Sequence, residues 1–311
     1  MQSIWNVFGK PTDSDPLSRW APYGSFVDGS VFSTNTGHLG MTLEMEGVEY
    51  ETLSQEHMER VSERFWAAHR NFDERFRVYH HLVKRAGERI SRRGHYAGPT
   101  IERATRERAE FLERTGLYSV RLFTTVVFES DPVKPGIAAT LDGVRGQLGL
   151  QLDANILILK DAVASYAAAF GSLLGVTVLD NAGIFEHLCL LTNPDAELLP
   201  RLKYGEHLGY FAANAEVTQR TDYLDWAGYH ARVFALKEEP DSTFAHMLRG
   251  LMKIESNAIL TYEWKGESNL TMTRLLRDKR KKTWGPTPSG YGQESDGHRR
   301  PSGYRQVRKA Q

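Results

Sequence analysis

Residues 39–45 read Leu39-Gly40-Met41-Thr42-Leu43-Glu44-Met45, and how these seven are read decides the fold. Leu39, Met41, Leu43 and Met45 fall at every second position, the period of a strand with one buried face. A helix would space its apolar residues three and four apart, so a strand is predicted. On the N-terminal side, Pro11, Pro16, Pro22, Gly24, Gly29 and Gly37 punctuate Phe26-Val27 and Val31-Phe32. Two short strands joined by turns are predicted there. On the C-terminal side, Thr52 to Gln55 has the make-up of a capping box. Met58, Val61, Phe65 and Phe72 then recur on one helical face, with Glu56 and Arg60 spaced to pair outside. Phe76, Val78, His80 and Leu82 alternate again. A polar helix over Pro99 to Arg114, stopped by Gly116, leads into a further alternation at Val120, Leu122, Val126 and Phe128. The order is strand, helix, strand, helix, strand.

Farther along, Ile156 to Leu191 reads as helix interrupted by one short strand. Asn193-Pro194 to Pro200 has loop composition and marks a boundary. Tyr229, Ala231, Val233 and Ala235 alternate, Phe244, Met247, Leu248 and Leu251 follow helical spacing, and Ala258, Leu260, Tyr262 and Trp264 alternate once more. A helix carrying Leu270, Met272, Leu275 and Leu276 comes after them. The expected class is α+β: mixed, mainly antiparallel sheets with packed helices, in two strand-helix-strand subdomains over 1–195 and 196–283. Residues 284–311 lack apolar periodicity and are rich in Gly, Pro, Ser and Arg, which predicts a disordered basic tail.

Composition narrows the function classes. With 41% hydrophobic and 25% charged residues the chain can bury a core. Lys plus Arg equals Asp plus Glu at 39 each, so any pull toward nucleic acid or an anionic bilayer must be local. Cys189 is the single cysteine, and Met1 to Lys10 has no charged-then-apolar leader. Both features predict a cytosolic setting. The uncharged run Ala162 to Leu179 is diluted by Ser165, Tyr166, Gly171, Ser172 and Gly175. It is expected to be a buried helix ending before a strand at Val176, not a membrane span.

No G-x-x-x-x-G-K-[ST] occurs, the loop whose backbone amides and Lys cradle nucleotide phosphates. Gly143, Gly146 and Gly149 have neither the intervals nor the preceding strand of a dinucleotide fingerprint. His80 and His81 are adjacent in a strand and point to opposite faces, so they cannot close on one metal; one is expected in the core and one in water. Cys189 among Leu188, Leu190 and Leu191 reads as a buried, inert thiol. No catalytic residue and no cofactor is nominated. Two basic stretches remain. Lys84-Arg85 through Arg92-Arg93, broken by Gly87 and Glu88, reads as a solvated loop. Arg274, Arg277, Lys279, Arg280, Lys281 and Lys282 end a helix, with Arg299, Arg300, Arg305, Arg308 and Lys309 beyond. These six are the candidate contacts to phosphate or to a partner; a solvated helix end is the plainer reading, and polybasic arms attract DNA and anionic lipid alike.

Several segments together resemble the amino-terminal and central region of the CagE/TrbE/VirB family of type IV secretion ATPases. They are Tyr23-Gly24-Ser25-Phe26-Val27 with Val31 and Gly37-His38-Leu39, then Leu43-Glu44-Met45-Glu46-Gly47-Val48. Farther on stand Arg232 to Pro240 with Phe244 and Leu248-Arg249-Gly250-Leu251, then Glu263-Trp264 and Arg274 to Arg280. The resemblance implies membership in a conjugation or protein-translocation machine at the inner face of a bacterial cytoplasmic membrane, with other type IV secretion subunits as partners. Family members continue into an ATPase domain, so ATP hydrolysis is carried over to no residue here. A docking module, self-association, a truncated remnant of a complete ATPase, and an adaptor for DNA or membrane through the basic segment all stay open.

Overall fold

The computed structural model describes residues 17–47, 53–86, 90, 98–114, 116–130, 141–171, 173–194, 207–213, 215–235 and 249–283. It falls into two compact units, Met1–Gly266 and Glu267–Gln311. In the first, β1 (Tyr23–Asp28), β2 (Val31–Thr34) and β3 (Leu39–Met45) form a meander. Helix α1 (Gln55–His69), β4 (Phe76–Ala86), α2 (Pro99–Arg114) and β5 (Tyr118–Phe128) follow. The long helix α3 (Leu141–Phe170), β6 (Val176–Val178), α4 (Asn181–Thr192) and the short α5 (Leu208–Ala212) come next. The unit closes with β7 (Val217–Gln219), β8 (Leu224–Trp226), β9 (Tyr229–Ala231), α6 (Arg249–Met252) and β10 (Ala258–Lys265). The fold is α+β with antiparallel sheets, as expected.

The main sheet runs β1-β2-β3-β5-β4-β10, and β6 pairs with the far end of β3 beyond β2. β3 and β4 are both antiparallel to β5 and so run the same way with β5 between them, a split β-α-β unit closed by α1. The alternation that predicted β3 is its packing: Leu39, Met41, Leu43 and Met45 all enter the core beneath α1 and α3, joined by Phe72, Val78, Val126, Phe128, Leu159, Val163 and Tyr166. The other sheet face carries a second core, where Phe32, Val83 and Phe123 meet Ile184, Phe185 and Leu188 of α4 and Leu208 of α5. With both faces covered, β3 is buried along nearly its whole length.

The helix boundary of α1 is set by Ser54, whose Oγ accepts from the His57 backbone N–H. Thr52, the expected cap, lies outside the described residues. The run Ala162 to Leu179 is the end of α3, a turn and β6, as expected, and among the described residues no helix is long and apolar enough to cross a membrane.

The later elements differ from expectation in two places. The alternation at Tyr229 to Ala235 gives only the three-residue β9, which forms a separate small sheet in the order β7-β8-β9. Strand β10, expected in a second subdomain, pairs along its full length with β4, Ala258 opposite Lys84 through Lys265 opposite Arg77. Trp264 packs against the first core, edge-on to His69 at 5.4 Å. The helix predicted around Phe244 and Met247 lies outside the described residues, except for α6 at its end. Residues 284–311 also lie outside them.

Candidate functional site

The second unit presents α7 (Asn269–Thr283), which carries the six cations singled out from sequence. It begins where Ser268 Oγ accepts from Thr271 N–H at 3.2 Å and the Ser268 carbonyl accepts from Met272 N–H at 2.9 Å. Arg274 and Arg277 are exposed; Lys279, Arg280, Lys281 and Lys282 share the helix, and their side chains lie outside the described residues. Met272, Leu275 and Leu276 are 43%, 48% and 61% exposed. At 100° per residue these three share one side, and Arg274 and Arg277 stand on the opposite one. Cations in the last turns also oppose the negative end of the helix dipole. An apolar stripe left in water, with cations on the same helix, can hold a partner; it has no group suited to bond-making chemistry.

The other basic stretch is not a solvated loop where it is described. β4 runs on to Ala86, so Lys84 and Arg85 sit in a sheet between helices. Lys84 is buried, its ammonium donating to the Ile254 carbonyl at 2.6 Å and standing 4.3 Å over the Tyr118 ring. Arg85 donates to the carbonyls of Leu190 at 2.5 Å, Asn193 at 2.6 Å and Pro194. These are the end of α4, where carbonyls lack helical partners and a guanidinium supplies donors. Arg92 and Arg93 lie outside the described residues.

The two histidines of β4 do point to opposite faces, and both are buried. His81 is only 8% exposed, because α4 covers the face expected to be wet. On the α1 side, His69 Nδ1 lies 2.7 Å from the Phe65 carbonyl, which can only accept. His69 is therefore protonated at Nδ1, and its Nε2 accepts from His80 Nε2–H at 2.9 Å. That leaves His80 Nδ1 as an acceptor 3.0 Å from the Thr124 hydroxyl, whose single proton it shares with Met45 Sδ at 3.1 Å. One tautomer of each ring satisfies the chain, which ties α1 to β4 and β5. Burial and the neighbouring His69 hold His80 down to about 3, and burial holds His81 down to about 4.

On the α4 side, His187 stacks with Phe123 at 4.2 Å and lies 5.3 Å from His81. Neither ring nitrogen of His187, nor Nδ1 of His81, meets a hydrogen-bond partner among the described residues. Burial, with the nearby Arg121 charge, lowers His187 strongly. Arg121 itself grips Glu44 at 2.7 and 3.0 Å and reaches Glu186 of α4 at 2.6 Å. Among the described residues no three His, Cys, Asp or Glu converge as metal ligands. Cys189 is buried, its thiol pushed up to about 12, which keeps it protonated and inert. Gly143, Gly146 and Gly149 all lie within α3, not in a phosphate-binding turn.

Residues 30–134 of the 311 match the family model described as Type IV secretion system ATPase VirB4/TrbE, N-terminal domain. The match spans β2, β3, α1, β4, α2 and β5, which include the split β-α-β unit and both buried histidines of β4. No curated protein matches the chain.

Proposed function

We propose, from the match of residues 30–134 to the model of a type IV secretion ATPase N-terminal domain, that the protein is a docking module of a secretion or conjugal-transfer machine. It acts by holding other subunits of that machine, without a phosphate loop of its own in these 311 residues. The observation that carries this reading is α7: an apolar stripe of Met272, Leu275 and Leu276 in water, on a helix whose opposite side carries Arg274 and Arg277. Exposed apolar stripes mark contact surfaces, and charge elsewhere on the same helix sets orientation and on-rate more than affinity. The site of action is the inner face of the cytoplasmic membrane, where such machines assemble. The test is co-purification of the full chain with the other subunits of a type IV system, against a Leu275→Glu, Leu276→Glu variant. Retention by the native chain and loss of at least about tenfold in the variant is expected. Equal retention of both removes α7 from the interface, and no retention of either overturns the docking reading.

A second reading rests on the cations alone: the segment from Arg277 to Lys309 as an arm for DNA or anionic lipid. It requires steep salt dependence. Binding to phosphatidylglycerol vesicles or duplex DNA that is unchanged by salt, or by deletion of residues 277–311, excludes it.

A further inference from the structure

The main sheet has two edges, and they differ. At one end β1 meets β2 with register shifts on both sides of Phe26, irregularities that spoil the flat ladder a further strand would need. At the other end β10 runs for 8 residues, Ala258-Ile259-Leu260-Thr261-Tyr262-Glu263-Trp264-Lys265, with no proline, no glycine and an unbroken register to β4. It is also held at both ends. Asn257 Oδ1 accepts from the Ala86 N–H at 2.7 Å, and Gly266 passes so close to the Asp73 carbonyl that a Cβ would come within 3.0 Å of it. In an antiparallel ladder every second residue turns its N–H and C=O away from the strand it pairs with. Among the described residues no backbone group meets that outer side of β10, and Ala258, Thr261, Tyr262, Glu263 and Lys265 are exposed. A long, regular edge with its backbone groups unmet is one that proteins ordinarily blunt, as β1 is blunted here.

We propose that this edge is the seat of an extended segment from another subunit of the machine, which joins the sheet as a strand beside β10. The chemistry of the occupant follows from the two rows of side chains it lies along. On the α1 side stand Leu260, Tyr262 and Trp264; Tyr262 is 53% exposed and stacks 6.0 Å from His80, so apolar or aromatic side chains fit beside it. On the opposite face the row changes along the strand. It begins at the half-buried Ile259, passes Thr261, and ends at Glu263 and Lys265, which meet Arg77 at 2.9 Å and Glu129 at 3.3 Å. The segment that fits has apolar residues at every second position, and its other face grades from apolar to charged. A second copy of β10 does not match this pattern. Antiparallel self-pairing centred on Thr261 sets Glu263 against Ile259, centring on Tyr262 sets Lys265 against Ile259, and centring on Glu263 sets that carboxylate against itself. The source of the strand rests on the docking reading above; its seat does not, and uses no residue of α7.

Amide exchange on the full chain, alone and bound to the other subunits of a type IV system, tests this. Alone, alternate amides of 258–265 should exchange freely while those between, bonded to β4, are protected; bound, the free set should slow at least about tenfold. Proline probes the same edge by its missing donor. Of Thr261→Pro and Tyr262→Pro, one removes an N–H that faces β4 and the other an N–H that faces outward. The outward variant should keep the ladder to β4 and lose at least about tenfold in retention of the subunits. A chain that is retained with its free amides still fast, or retention unchanged by the outward proline, overturns the proposal and leaves the docking reading standing. Slowing that tracks the concentration of the free chain assigns the edge to a second copy and overturns it too. A chain that no subunit retains overturns the docking reading. The seat is then decided by an acetylated peptide alternating valine and threonine over about eight residues, which should slow the same amides where its fully N-methylated form does not; equal exchange with both removes the seat.

Discussion

Gly40 shows how one residue can serve both faces of a strand. It stands directly across from Phe32, whose ring lies over it; a Cβ built there would come within 2.3 Å of Phe32 Cζ. Its neighbours Leu39 and Met41 fill the opposite core, so β3 cannot shift to make room. Gly40→Ala is expected to lower stability by about 1–3 kcal/mol, read as a fall in the urea midpoint with an unchanged slope. Sequence showed the alternation on both sides of Gly40 but not the ring above it, since nothing local links position 32 to position 40. His81 repeats the lesson. Adjacency in a strand determines that His80 and His81 diverge, whereas whether the second face is wet depends on α4, a hundred residues on.

Among elements, β4 and the end of α4 are joined by a charged polar link. Arg85 gathers three carbonyls that no helical N–H can reach, and the positive charge lies at the negative end of the α4 dipole. Removing the donors while keeping the stem isolates their contribution. Arg85→Met is expected to cost about 1.5–3 kcal/mol, because it strands buried acceptors as well as losing charged hydrogen bonds. Amide exchange should quicken first in residues 188–193, and uniform exchange across the sheet instead would locate the role elsewhere. Helix and strand spacing were legible throughout these elements. The role of Arg85 was not, since a basic pair at a strand's end looks the same in sequence whether it faces water or a helix terminus.

At the scale of the whole molecule, the four histidines buried among the described residues make acid the weak direction. His80, held to about 3, and His81, held to about 4, together with His69 and His187, lowered chiefly by burial, take up protons in the unfolded chain before the folded one. Stability is therefore full above the ordinary histidine value of 6.5 and falls as pH drops from there toward 4. Each histidine adds up to about 1.4 kcal/mol per pH unit. Urea melts from pH 7.5 to 4.5 should show this slope, and His187→Leu, which deletes two buried nitrogens without partners among the described residues, should flatten it; a flat profile in the native chain would contradict the burial. What the sequence by itself determined is everything local: the strand periods, most helix spans, the α+β class, the buried thiol at Cys189, and the likeness to type IV secretion ATPases. Only the tertiary structure decided that β10 completes the edge of β4, that α4 covers His81, and that Leu150 and Leu157 of α3 are left in water. Periodicity reports which side of an element is apolar, but pairing and cover between distant elements are set by packing, which no local spacing encodes.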